Sequence, residues 1–356
     1  MIKTSSLCLP ATCIVALAAA AAAQDGMPSR PVVGLDAPNG RGFDLGIVHV
    51  NEPGHPTNVV PGLGLPFNVG TSTSSAFNRP YLSPNTLRLG INVVAETATT
   101  ADDDCLLVDG VVVLREGDAA TFGLSGELVG TIDTDFGIND AGELLIGNNA
   151  NGSAPSTADD YVIFYSAGVW TALAKEGDPI TPYLPSVVGG TAGTWDDSMD
   201  TCRLLNDGTP MWSADGVDGL TTGTSNDEFV VFGDGTALQE GVDVPGGQAG
   251  GATEAWENFD FEDLYVSADG SLRLLQGDLT GSTTGDDVVT LNDLVIVQEG
   301  VVLAGSGFVE PVDSSGIVKA WVDNAGNFYV RGNNDITEDD WVYRNGVVVC
   351  DSTGTF

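Results

Sequence analysis

Pairs of acidic residues recur along the chain, and carboxylates in this pattern could bind a cation. Each pair ends a polar stretch and precedes two apolar runs that a tight turn separates. In four cases, a glutamate follows the second of these runs. The acids are Asp102-Asp103-Asp104, Asp159-Asp160, Asp227-Glu228, Asp286-Asp287 and Glu338-Asp339-Asp340, and the glutamates are Glu116, Glu176, Glu240 and Glu299. If the apolar runs are paired strands, each acidic pair and its glutamate meet at one end of a sheet.

Calcium is the cation that suits such turns best. Ca²⁺ takes roughly six to eight oxygen ligands, and turns rich in Asp, Asn and Gly offer both carboxylates and backbone carbonyls. The candidate metal ligands are Asp103, Asp104, Glu116, Asp159, Asp160, Glu176, Asp286, Asp287, Asp339 and Asp340. None of these clusters has the spacing of an EF-hand loop. A Ca²⁺ cofactor is therefore one hypothesis, and the other is that the acids solvate loops, cap turns and discourage edge pairing.

Two tryptophans suggest a different ligand, an extracellular glycan. Trp195 and Trp256 lie beside acids, in segments that connect one repeat to the next. An exposed aromatic ring next to hydrogen-bonding carboxylates can form a platform for a sugar. They are our candidate ligand-binding residues, and the alternative is that both rings pack between sheets.

Paired carboxylates could also act as acid and base on a glycosidic bond. Any Asp-rich chain offers such pairs, and the sequence contains no nucleophile elbow, HExxH motif or phosphate-binding loop. The histidines are His49 and His55, both near the N-terminus. The catalytic residues stay unknown. We expect a non-catalytic binding or structural surface protein, and the alternative is a polysaccharide-active hydrolase or lyase.

The acidic motifs belong to a longer repeat that is found five times. Its parts are a turn, a strand, a polar stretch, two acids, a second strand, a tight turn and a third strand. The copies begin at Ser83, Asn139, Asn206, Ala268 and Asn324, and a further strand precedes each one. The opening turns place glycines at positions 142, 208, 270 and 326, which are 66, 62 and 56 residues apart. In the first copy, we expect Asn85 in the place of the glycine.

A repeated four-stranded antiparallel meander is typical of β-propeller blades. We name the strands a to d in chain order. The c–d turns, such as Asp109-Gly110, Asp234-Gly235, Asn292-Asp293 and Asn345-Gly346, tolerate the positive φ of type I′ hairpins. We predict an all-β propeller of five blades, with six as the alternative, because residues 31–54 resemble an isolated c–d hairpin. The predicted units are a signal peptide at 1–23, an N-terminal extension or partial blade at 24–60 and propeller repeats at 61–356.

The repeats resemble a group of bacterial exported tandem-repeat proteins of unknown function, whose units read roughly N-D-x-G, apolar strands and then E-G-D. The matching residues here are Asn139-Asp140-Ala141-Gly142 with Glu176-Gly177-Asp178, and Asn206-Asp207-Gly208 with Glu240-Gly241. This resemblance implies export and a propeller-like repeat architecture, and it implies no activity. The last copy departs from the pattern, since Asp351-Ser352-Thr353-Gly354 replaces the E-G-D motif.

The N-terminus reads as a secretory signal. Lys3 precedes an apolar run from Cys13 to Ala23, and small residues before Gln24 fit a cleavage site. We therefore expect a secreted protein, extracellular or periplasmic, after cleavage near Gln24 and without a transmembrane anchor. Cys105, Cys202 and Cys350 remain after cleavage, and an oxidising compartment allows one disulfide among them without specifying the pairing.

The net charge limits the kinds of molecule that the protein can bind. Fifty Asp and Glu residues against twelve Lys and Arg give a formal charge of −38. Such a chain repels nucleic acids and anionic membranes. Cations and extracellular glycans or proteins are the expected partners, and nucleic acid is excluded.

Overall fold

The computed structural model describes residues 58–67, 77–97, 102–123, 125–152, 158–180, 193–196, 199, 201–217, 226–233, 235–259, 264–281, 284–323, 325–337 and 339–352. Within these ranges the chain forms β-strands and one short 3-10 turn at Ala249–Gly251. In the same ranges, no helix is long and apolar enough to cross a membrane. The predicted signal peptide, the predicted hairpin at 31–54 and both histidines lie outside the described residues.

The strands form five antiparallel sheets that follow one another along the chain. The strands of sheet 1 are β1 Phe77–Leu82, β2 Leu89–Val94, β3 Asp104–Val108 and β4 Val111–Arg115. Those of sheet 2 are β5 Leu128–Ile138, β6 Leu144–Asn151, β7 Asp160–Ser166 and β8 Val169–Lys175. Those of sheet 3 are β9 Thr194–Trp195, β10 Cys202–Leu204, β11 Pro210–Val217, β12 Glu228–Phe232 and β13 Ala237–Gln239. Those of sheet 4 are β14 Trp256–Phe259, β15 Tyr265–Val266, β16 Arg273–Leu279, β17 Asp287–Leu291 and β18 Leu294–Gln298. Those of sheet 5 are β19 Val312–Val322, β20 Phe328–Asn334, β21 Asp340–Arg344 and β22 Val347–Asp351.

Each sheet is a meander in which strands a, b, c and d pair in chain order. This arrangement confirms the prediction of five four-stranded antiparallel repeats. In sheets 3 and 4, strand a is described as two short pieces, and residues between these pieces lie outside the described ranges. In sheet 3, β9 and β10 both pair with β11, and in sheet 4, β14 and β15 both pair with β16.

The hairpin turns follow the predicted chemistry in most copies. Asp109, Asn292 and Asn345 have φ of 49°, 50° and 48°, which is the left-handed conformation that type I′ turns require. Sheet 2 uses Ala167-Gly168 for the same turn, with φ of 52° and 86°. The first a–b turn differs from the prediction, since Leu87 rather than Asn85 has a positive φ of 57°. That turn runs from Ser83 to Arg88 and is one residue longer than the turn from Asn139 to Glu143.

The apolar core lies between consecutive sheets. Alternate residues of a strand point to opposite faces, so Leu144 and Ile146 of β6 pack toward sheet 1 while Leu145 packs toward sheet 3. Sheets 3 and 4, and then sheets 4 and 5, enclose corresponding clusters. The face of sheet 1 that points away from sheet 2 is covered by the segment 58–67, through Val60 and Phe67.

The three described cysteines lie in separate sheets, and no disulfide joins any of them. Cys105 and Cys202 are buried on sheets 1 and 3, and Cys350 is half-buried on sheet 5. Burial raises the pKa of the Cys105 thiol to about 12, so this side chain is inert at neutral pH. The disulfide that the sequence allowed is therefore not formed.

Candidate functional site

The acidic pairs and the glutamates meet at one end of their sheets, as the sequence predicts. In sheet 1, carboxylate oxygens of Asp103, Asp104 and Glu116 lie within 4.8 Å of one another. In sheet 2, Asp159, Asp160 and Glu176 meet the same condition. The reason is the c–d hairpin: the backbone N–H of Glu176 donates to the carbonyl of Asp160 (2.9 Å), so the start of strand c faces the end of strand d.

The glutamates also bind the backbone of their own sheets. The N–H groups of Asp159, Asp227 and Asp287 donate to Oε2 of Glu176 (3.0 Å), Glu240 (3.1 Å) and Glu299 (3.3 Å), respectively. These three glutamates and Glu116 are buried. We call each glutamate with its acidic pair an acidic clamp. Because a buried N–H needs an acceptor, the clamp fastens the b–c loop to the end of strand d.

The clamps hold carboxyl groups that are difficult to ionise together. Burial raises the pKa of Glu240 to about 8, and the neighbouring Asp227 and Glu228 contribute to this rise. Burial and the adjacent Asp286 raise the pKa of Glu299 to about 7. In sheet 1, burial raises the pKa of Asp104 to about 6, and the charges of Asp103 and Glu116 contribute. Each clamp therefore favours either a shared proton or a bound cation.

The fifth sheet has the acidic pair of a clamp but no glutamate after strand d. Ser352 follows strand d in the position that Glu176 has in sheet 2, and its hydroxyl donates to Oδ1 of Asp339 (3.0 Å). The Thr337 hydroxyl donates to the other oxygen of Asp339 (2.8 Å). Asp340 is exposed at the start of β21. The Ser352 hydroxyl therefore donates a hydrogen bond to Asp339, whereas the glutamate at this position in the other sheets adds a further carboxyl group.

Trp195 and Trp256 are core residues in this structure. Their side chains are 0% and 1% exposed. Trp195 packs edge-on against Phe229 with ring centroids 5.8 Å apart, and Trp256 lies 5.2 Å from Phe259. Neither ring is available for a sugar to stack on, so the described conformation supports the alternative, packing between sheets.

A chain of polar and aromatic side chains, which the sequence did not reveal, joins the a strands of all five sheets. The Tyr81 hydroxyl donates to Oδ1 of Asp135 (2.6 Å), and Asp135 forms an ion pair with Arg203 (2.7 Å). The Arg203 guanidinium lies 5.3 Å from the ring centroid of Tyr265, and the Lys319 ammonium lies 5.5 Å from the same ring. These five residues, one from each sheet, are called the inter-sheet chain below.

The centre of the inter-sheet chain is well shielded from water. The Arg203 and Asp135 side chains are only 11% and 10% exposed. Arg203 also donates from Nε to the carbonyl of Leu264 in the next sheet (2.7 Å). Because a buried charge without a partner is costly, this pair ties the positions of sheets 2, 3 and 4 to one another.

An open cleft lies between the third and fourth clamps. Its volume is about 390 Å³, and its polar lining includes Glu228, Asn258, Gln276, Asp278 and Asp287. Burial, followed by the charges of Asp227 and Asp278, raises the pKa of Glu228. Glu228 accepts a hydrogen bond from the backbone N–H of Phe259 (2.8 Å). The cleft is therefore a site where several carboxyl groups are accessible from one opening.

No family model matches this chain, and no curated protein matches it either. Among solved structures, the chain is similar to a mutant of prolyl oligopeptidase B from Galerina marginata, bound to a 25mer macrocyclization substrate. The identity is 10%, the TM-score is 0.38, and the match covers 78% of this chain and 35% of that one. The chain thus spans about a third of that protein's length.

Proposed function

We propose that this protein is an exported, non-catalytic binding or structural protein, and that its five sheets are blades of a β-propeller. The observation that carries the non-catalytic proposal is the repeated clamp. The glutamates that would be catalytic candidates accept hydrogen bonds from the backbone of their own sheets. Groups held in this way stabilise a scaffold, and they are poorly placed to exchange protons with a substrate.

The propeller arrangement is supported by the order of contacts. Propeller blades are four-stranded sheets set around a central channel, with the first strands nearest to it. Here the a strands of all five sheets are connected in sequence by the inter-sheet chain. A sixth blade built from residues 31–54 stays an alternative prediction, because that segment lies outside the described residues.

We further propose that the clamps of sheets 1 and 2 bind Ca²⁺. Each brings three carboxylates within 4.8 Å, and the net charge of −38 raises the local concentration of cations. Burial raises the pKa of Glu116 and Glu176, and the charges of Asp103 and Asp159, respectively, contribute to this rise. A divalent cation would remove this repulsion and would thereby stabilise the folded chain.

Thermal melts test the calcium proposal. We expect millimolar CaCl₂, at constant ionic strength, to raise the melting midpoint by on the order of 5 °C, because a ligand of the native state stabilises it. The double variant Asp104→Asn/Asp160→Asn should lose most of this increase. A matched control, Asp313→Asn/Asp335→Asn, removes two carboxylates outside the clamps and should keep it. An unchanged midpoint in the wild-type protein would reject Ca²⁺ binding.

A second candidate function, polysaccharide hydrolysis, is favoured by one observation. The cleft between the third and fourth clamps presents several carboxyl groups, and the pKa of Glu228 is raised by burial, as suits a general acid. Incubation with a panel of polysaccharides and a search for new reducing ends or unsaturated products would reveal this activity. Its loss in Glu228→Gln would assign it to the cleft.

A further inference from the structure

The dipeptide Asn-Gly occurs three times in the chain, and two of these places are described. They are Asn151-Gly152, where β6 ends, and Asn345-Gly346, in the c–d turn of sheet 5. In such a dipeptide the backbone nitrogen of the glycine can attack Cγ of the asparagine, because glycine has no side chain to obstruct the approach. The new N–C bond closes a succinimide ring, the Cγ–Nδ2 bond breaks, and the proton of the glycine N–H leaves with ammonia. Water then opens the ring to aspartate or isoaspartate.

The turn of sheet 5 holds Asn345 in a position that prevents this reaction. Its Oδ1 accepts from the backbone N–H of Phe328 (3.0 Å), and its Nδ2 donates to Oδ1 of Asn327 (2.7 Å). Both ends of the amide are thus bound at the start of strand b. Both hydrogen bonds have to break before Cγ can approach the nitrogen of Gly346, and breaking them costs free energy.

Asn151 has no such restraint. Its side chain is exposed, and it forms no hydrogen bond with any described residue. Gly152 lies just beyond the end of β6 with φ of 131°, and its backbone N–H donates to no carbonyl in the described part of the chain. No described contact therefore has to break before Cγ of Asn151 meets the nitrogen of Gly152.

Position 151 lies beside the acidic clamp of sheet 2. Asn149 pairs with Asp160 across the sheet, and Asn151 follows Asn149 on the same face, because side chains alternate along a strand. The backbone N–H of Ala150, between the two asparagines, donates to the carbonyl of Asp159 (2.7 Å). A carboxyl group at position 151 would therefore stand next to the acidic pair of this clamp.

We propose that Asn151 is a site of spontaneous deamidation, with water as the reactant, and that the product adds a fourth carboxyl group beside the clamp of sheet 2. The three carboxyl groups already there belong to Asp159, Asp160 and Glu176. The reaction replaces a neutral amide with a negative charge at a place that is already acidic. It does not depend on whether the clamp binds Ca²⁺, so this inference goes beyond the proposed function.

Incubation of the full chain in ¹⁸O-labelled water at mildly alkaline pH tests this proposal. Digestion in ordinary water and mass spectrometry of the peptides then measure the label in each new carboxyl group. We expect Asn151 to react at least tenfold faster than Asn345 in the folded chain, because Asn345 reacts only when its turn opens. Asn345-Gly346 is the matched control, since the dipeptide is the same and its hydrogen bonding differs.

The chain unfolded in urea provides the second comparison, and there the two dipeptides should react at similar rates. The proposal is overturned if Asn151 reacts no faster than Asn345 in the folded chain. It is also overturned if the unfolded chain shows the same ratio of rates, because neighbouring residues rather than the fold would then cause the difference. Asn151→Gln should remove the label from its peptide, and label that persists would assign the reaction to Asn148 or Asn149 and reject the proposal.

Discussion

At the scale of single residues, Arg203 and Asp135 form the ion pair that is best shielded from water among the described residues. Replacing Arg203 with Met would leave Asp135 buried without its counter-ion, although Tyr81 could still donate to it. We expect Arg203→Met to lower the free energy of unfolding by about 3–5 kcal/mol. Urea denaturation measures this loss directly.

The exposed pair of Arg88 and Asp109 provides the comparison. Their side chains are 39% and 41% exposed, so water already screens both charges. Arg88→Met should cost no more than about 1 kcal/mol. Equal losses in the two variants would mean that the inter-sheet chain does not stabilise the fold beyond an ordinary surface contact.

The acids of the clamps could be predicted from the sequence, but the ion pair of Arg203 and Asp135 could not. The acids of a clamp recur at the same place in each repeat, and one hairpin brings them together. Arg203 and Asp135 are 68 residues apart and belong to different sheets, so their contact depends on how the sheets pack. The available signal was an arginine within the short apolar strand Cys202–Leu204, in a chain with few basic residues. Trp195 and Trp256 show the converse, since acidic neighbours suggested exposure for two rings that packing buries.

At the scale of the secondary-structure element, the clamp makes the c–d hairpin sensitive to pH. The pKa of Glu240 is raised to about 8 by burial and by its acidic neighbours. The folded chain therefore holds a proton that the unfolded chain releases, and the stability from this clamp falls as the pH rises toward 8. Between about pH 5 and pH 8, which lies between the ordinary pKa of 4.5 and the raised one, we expect the wild-type protein to lose on the order of 1–2 kcal/mol, after screening by solvent.

Glu240→Gln isolates this effect. Glutamine can accept the same backbone N–H and is neutral at every pH, so the variant should show a flatter dependence of the melting midpoint on pH. Glu257→Gln, at an exposed position on β14, should retain the wild-type slope. If both variants keep that slope, the proton is not held by the clamp.

The strands and turns could be predicted from the sequence where a single hairpin contains both. The c–d turns follow from Asp-Gly and Asn-Gly pairs, because only residues that tolerate positive φ fit a type I′ turn. Leu87 in the first a–b turn was not predictable, since its positive φ follows from an extra residue in that turn.

At the scale of the whole molecule, the sheets are stabilised mainly by their neighbours in sequence. Sheet 2 is covered by sheets 1 and 3, whereas the described residues give sheet 5 one apolar cluster, shared with sheet 4. In repeat proteins, local stability depends on such interfaces. The sequence predicted the repeat, but it could not specify what covers the first and last faces, because these faces have no equivalent inside the repeat.

Hydrogen exchange measured by mass spectrometry tests whether the strands of sheet 5 open more easily than those of sheet 2. We expect the amides of β20 and β21 in sheet 5 to exchange faster than those of β6 and β7 in sheet 2, since regions with fewer buried contacts open more easily. The two pairs of central strands have similar hydrogen bonding within their sheets, so they form a matched comparison. Equal protection would mean that a further part of the chain covers sheet 5, as a closed ring of blades requires.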